Sequence, residues 1–144
     1  MPWPRRLSTL LACLILGGAP PGRAEVSNLA ACEEKLALLP DGEDGARCLY
    51  DLGRGGGPSR DAAARRLEEL HADRPGDPWF GLYLANLRLV KRDPGAEELY
   101  RETAELAARR GLPRPEVLAR SGLSRLLRLA SSAAPHDALP PAQR

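Results

Sequence analysis

A spacing of about 35 residues recurs along this chain. Leu49 and Leu52 are matched by Leu84 and Leu87, and again by Leu123 and Leu126. Between these pairs lie two further patterns with helical i, i+4, i+7 spacing: Ala63, Leu67 and Leu70, then Ala96, Tyr100 and Thr103. Self-similarity at this period marks stacked helical hairpins, because one hairpin cannot bury its apolar face alone and neighbours must share a core. The chain is therefore expected to be all-α, with antiparallel helical hairpins stacked as a short solenoid. Such a fold offers a surface for a partner rather than a pocket for chemistry.

Composition agrees with helix. Ala, Leu, Arg and Glu are all good helix formers, and β-branched residues are scarce. Apolar periodicity and punctuation predict helices over residues 27–39, 43–53, 61–72, 78–90, 94–110 and 115–130. Ser27 or Asn28, and Ser59 or Asp61, are candidate caps; Gly53 and Gly111 are candidate stops. Asp77-Pro78 and Asp93-Pro94 are start devices. Aspartate accepts from free first-turn amides, and proline at the first helical position gives up only an amide that would be unpaired anyway. The fourth helix carries Trp79, Phe80, Leu82, Tyr83, Leu84, Leu87 and Val90, apolar on more than one face, and is expected to be the centre of the core. The sixth has no following partner, so Leu118, Leu126 and Leu129 are expected to lie partly exposed. That open end suits a longer chain or a homodimer through the last helix. Residues 131–144 read as a disordered tail.

Residues 1–24 have the three parts of a secretory leader: Arg5 and Arg6, an apolar run from Leu7 to Leu16, and a small-residue exit ending at Ala24. The run is too short to span a bilayer, which takes about 20 apolar residues. An apolar N-terminal helix docked on the domain is the other reading. Leu10-Leu11-Ala12-Cys13 resembles a lipoprotein box, but the apolar run continues past Cys13. The expected location is periplasmic or secreted, with no membrane span once the leader is removed. The whole chain has 21 Lys+Arg against 19 Asp+Glu. The leader holds three of those arginines and no acid, so the remainder has a net charge of −1. Nothing in that balance calls for a nucleic-acid partner.

Cys32 and Cys48 lie about eight residues on either side of Pro40-Asp41-Gly42. In an antiparallel hairpin both fall roughly 12 Å from the turn, at one level. A disulfide is one reading and two buried thiols the other. The chain thus divides into a leader (1–24), an extra helix and turn (25–42), helical repeats (43–130) and the tail. Neither CxxC nor a Cys/His pattern is present, so no metal is expected.

These residues resemble tetratricopeptide repeats. Leu84-Ala85 takes the leucine–small position of a first helix. Ala63, Leu67, Leu70 and Pro75, then Ala96, Tyr100 and Thr103, take those of second helices. Gly81 stands where the family has an aromatic, with Trp79 and Phe80 just ahead. The resemblance implies a scaffold for protein or peptide partners whose first helices line an inner surface, which makes Asn86 and Arg88 candidate contacts. More narrowly, the leader, Cys48-Leu49-Tyr50-Asp51 and Asp77-Pro78-Trp79 are similar to the N-terminal arrays of exported bacterial proteins that end in a caspase-like CHAT domain. That implies the alternative of an N-terminal region of a larger multidomain protein.

Arg109, Arg110, Arg114, Arg120, Arg125 and Arg128 gather with only Glu116 opposing. Arg120 and Arg125 are candidates for clamping an acidic peptide or a C-terminal carboxylate; a solvated basic face is the bland reading. His71 and His136 are the only histidines, and neither has a nucleophile or carboxylate pair nearby in sequence. His71 falls at a helix end, where the dipole favours a cation. Gly55-Gly56-Gly57 lacks the lysine of a phosphate loop. The expected protein is non-enzymatic and needs no cofactor.

Overall fold

The structure, a computed structural model, describes residues 21–38 and 42–133, with side chains from residue 28 onward. Most of the leader (including Cys13), Pro40-Asp41 of the first turn, and the tail beyond residue 133 with His136 lie outside the described residues.

Six helices follow in order: α1 (Pro21–Leu38), α2 (Glu43–Arg54), α3 (Ser59–Asp73), α4 (Pro78–Val90), α5 (Ala96–Arg109) and α6 (Pro113–Ser132). There is no strand among the described residues. Helices α2, α4 and α6 stand side by side. Behind them α3 packs on both α2 and α4, and α5 packs on both α4 and α6, which is the layering of stacked hairpins. Among the described residues no helix is long and apolar enough to cross a membrane.

The first helices start at residues 43, 78 and 113, each 35 residues after the last. That register corrects the third leucine pair. The counterparts of Leu84 and Leu87 are Ala119 and Gly122, one turn before Leu123 and Leu126. Leu49, Leu84 and Ala119 are all buried. The physical reason is a close crossing: a Cβ on Gly122 would lie 2.4 Å from the Tyr100 ring. Only a small residue fits there, so Leu123 and Leu126 flank the crossing, partly buried against the core, instead of forming it.

Asp77 caps α4 as expected, its Oδ1 accepting from the Trp79 amide at 3.0 Å. Its Oδ2 also accepts from the Gly42 amide at 3.3 Å, tying the start of α2 to that of α4. Asp93 Oδ1 accepts from the Gly95 amide at 2.8 Å in the same i, i+2 pattern, and α5 begins at Ala96. Other punctuation differs. Helix α1 starts at Pro21 and runs through Ser27 and Asn28, and α3 starts at Ser59 with no side-chain cap. Gly53 lies inside α2, where a Cβ would meet a Leu87 methyl at 3.1 Å, so it serves close packing rather than termination. Ser131 and Ser132, expected in the tail, close α6.

Helices α4 and α5 end alike. After α4 the Asp93 amide donates to Arg88 O (2.9 Å) and the Arg92 amide to Leu89 O (3.0 Å). After α5 the Leu112 amide donates to Ala107 O (2.9 Å) and the Gly111 amide to Ala108 O (3.1 Å). Both are Schellman ends, which place one residue in the left-handed region. Gly111 takes φ 65° without strain, whereas Arg92 takes φ 56° against its Cβ. Arg92→Gly is expected to stabilise the fold by about 1 kcal/mol in chemical denaturation, and Gly111→Ala to cost a similar amount.

Nine residues of α4 are buried, which makes it the centre of the core. Val90 is the exception, 54% exposed at the helix end. The Cys32–Cys48 disulfide is present and joins α1 to α2, with Cα atoms 5.4 Å apart. Arg66 of α3 adds a two-pronged pair to Glu33 of α1, at 2.5 and 3.1 Å. At the other end α6 packs mainly on α5, with Leu123 and Leu126 partly buried. Only Pro115 and Ala119 are buried, and Val117, Leu118, Leu127 and Leu129 are exposed.

Candidate functional site

Helices α2, α4 and α6 enclose a groove of about 820 Å³ on one face of the stack. Each helix contributes by register. Arg47, Leu82 and Val117 line it at 35-residue intervals, as do Tyr83 and Leu118, and Asn86 and Ser121. On α6 the lining residues Arg114, Leu118, Ser121 and Arg125 follow i, i+4, i+7, i+11, a single helical stripe. Arg128 extends its basic end.

At one end Glu43 gathers two arginines. Its Oε1 accepts from Arg47 Nη2 and its Oε2 from Arg114 Nη1, both at 2.8 Å. Arg47 Nε also donates to the Tyr83 hydroxyl at 3.0 Å, and the Arg114 guanidinium lies 5.5 Å from the Trp79 ring centre. This node bridges α2 to α6 across α4. At the other end Arg125 and Arg128 have no carboxylate within salt-bridge distance among the described residues. Between the ends, Asn86 Oδ1 accepts from the Tyr100 hydroxyl at 2.7 Å. Burial pushes the Tyr100 pKa up to about 12, so this donor stays protonated and fixes the Asn86 amide from beneath.

Asn86 and Arg125 therefore share the groove, while Arg88 and Arg120 do not. Arg88 is two residues beyond Asn86, roughly 200° around the helix. It points behind the layer, 3.9 Å from Glu68 of α3. Arg120 is bound to Glu116 on its own helix at 2.9 Å, away from the groove. Most of the arginine cluster is likewise spoken for. Arg109 pairs with Glu105, Arg110 donates to the Gly76 carbonyl, and Arg114 pairs with Glu43. Arg47, Tyr83 and Glu43 do not stand out as site residues in the sequence, whereas Arg128 belongs to the arginine cluster noted there. The signal that finds Arg47 and Tyr83 is the 35-residue period counted from helix starts.

His71 lies in the last turn of α3 as expected, but its ring is half-buried and not a free surface cation. It packs between α4 and α5, where a Cβ on Gly81 would meet its ring at 3.3 Å. Its buried Nδ1 has no hydrogen-bond partner. Burial lowers its pKa, helped by Arg88 and opposed by Glu102, so the neutral ring is favoured. No group of three metal-ligating side chains occurs among the described residues. No family model matches the chain, and no curated protein or solved structure matches it.

Proposed function

We propose that this protein is a non-enzymatic scaffold of tetratricopeptide-like helical hairpins, exported through the leader at residues 1–24, that binds an acidic peptide segment of a partner protein. The observation that supports this reading is the groove itself. Apolar Leu82, Val117 and Leu118 line it, Asn86 is held with its amide ready, and Arg125 and Arg128 have no carboxylate within salt-bridge distance among the described residues. A carboxylate on a peptide gains charge-assisted hydrogen bonds from such arginines, and apolar neighbours bury its flanking side chains. Long-range attraction from the same arginines speeds encounter, so binding should weaken with salt.

The test is charge reversal. Arg125→Glu with Arg128→Glu is expected to weaken an acidic, leucine-containing peptide at least about a hundredfold in fluorescence anisotropy, in keeping with two desolvated charge contacts of 1.5–3 kcal/mol each. Arg120→Glu, outside the groove, is the control and should change affinity less than about threefold. Equal loss in both variants would mean that overall charge, not the groove, governs binding.

A further inference from the structure

The Glu43 node contains the one carboxylate that is buried among the described residues, 8% exposed, although its two arginine partners remain largely open to solvent. Two guanidinium groups donate to it at the wall of a groove, one held by its own hydrogen bond to the Tyr83 hydroxyl and the other lying over the Trp79 ring. That is the donor set of a carboxylate receptor, filled from within. Resting on the groove reading above, we propose that Arg47 and Arg114 form a second carboxylate subsite that Glu43 holds occupied, and that a ligand bearing two acidic groups displaces it.

The exchange is chemically even-handed. One carboxylate replaces another on the same two arginines, which are themselves 50% and 65% exposed and so open to a ligand. Glu43 also has somewhere to go. It is the first residue of α2, whose Gly42 cap supplies no side-chain acceptor, so a released carboxylate stays beside unpaired first-turn amides and the positive end of the helix dipole. Geometry then sets the ligand. Arg114 and Arg125 lie on one stripe of α6, eleven residues apart, about 16 Å along the axis. An extended peptide with acids at its first and fifth positions presents both on one face about 13 Å apart, and the long arginine and glutamate side chains cover the difference. The preferred ligand is thus a diacidic, otherwise apolar segment, with one acid on Arg125 and Arg128 and the other in place of Glu43.

The probe is a fluorescein-labelled hexapeptide with glutamate at positions one and five and leucine or serine elsewhere, acetylated and amidated. Its affinity is measured for the wild type, Glu43→Gln and Glu116→Gln. Glu43→Gln is expected to bind about tenfold more tightly. Glu116→Gln, which removes one negative charge outside the node, should shift affinity less than twofold. In the wild type, Arg114→Gln should weaken this peptide severalfold and leave a single-glutamate version unchanged, a result that does not depend on Glu43→Gln folding well. If the wild type does not bind the probe, the groove reading fails and this one with it. If it binds and neither Glu43→Gln strengthens nor Arg114→Gln selectively weakens the diacid, the second subsite alone is overturned.

Discussion

Replacing Cys48 with alanine, or reducing the Cys32–Cys48 bond, is expected to lower the melting temperature by more than about 10 °C. The bond closes a loop of 16 residues. Constraining the unfolded chain over such a loop contributes roughly 3 kcal/mol, and in a domain of this size each kcal/mol moves the midpoint by several degrees. The native side matters as well. Among its described side chains, α1 buries only Cys32 and Leu36, with Leu29 partly covered. Apart from the disulfide, its main tether is the half-exposed Arg66–Glu33 pair, which is worth little alone. Without the bond, α1 should lose amide-exchange protection before the rest. Circular-dichroism melts with and without reductant measure this. Identical midpoints, or full alkylation of both thiols without reductant, would contradict it.

Gly122→Val is expected to detach α6 from the stack while α1 to α5 remain folded. The added Cβ falls 2.4, 2.6 and 3.0 Å from three atoms of the Tyr100 ring, which is fully buried and cannot yield. Overpacking of this kind costs about 1–3 kcal/mol. Helix α6 has limited burial to set against that, since Pro115 and Ala119 are its only buried residues and Leu123 and Leu126 are partly buried. The consequence is functional, because α6 supplies one wall of the groove and both of its unpaired arginines. Hydrogen exchange should show α6 amides unprotected and α4 amides unchanged, with peptide binding lost. Ser124→Val, an exposed site two residues on, places the same β-branched side chain in the helix without the clash and should leave both intact.

The contrast between these sites explains what could be read from the chain. Local chemistry was legible. Asp77-Pro78 fixes the start of α4 because capping and proline geometry act within a few residues. Ala63, Leu67 and Leu70 face the core, as do Ala96, Tyr100 and Thr103, because a helix buries what its period aligns. The cysteines pair because each lies about equally far from the turn between α1 and α2, which brings them level. Packing and long-range charge were not legible. Leu123 and Leu126 looked like the third crossing because they are apolar, whereas the crossing against Tyr100 required the absence of a side chain at Gly122. Arg114 looked like a free member of a basic run, yet its counter-charge, Glu43, lies 71 residues earlier. Arg88 and Asn86 are two residues apart, and only the rotation of α4 separates the groove from the back of the layer.

Backbone amide chemical shifts recorded during titration with the diacidic hexapeptide test the central claim most directly. Binding in the groove predicts saturable shifts confined to Glu43 and Arg47 on α2, to Leu82, Tyr83 and Asn86 on α4, and to Arg114, Val117, Leu118, Ser121, Arg125 and Arg128 on α6. Shifts centred on the outer helices α3 and α5, or none at millimolar peptide, would contradict it.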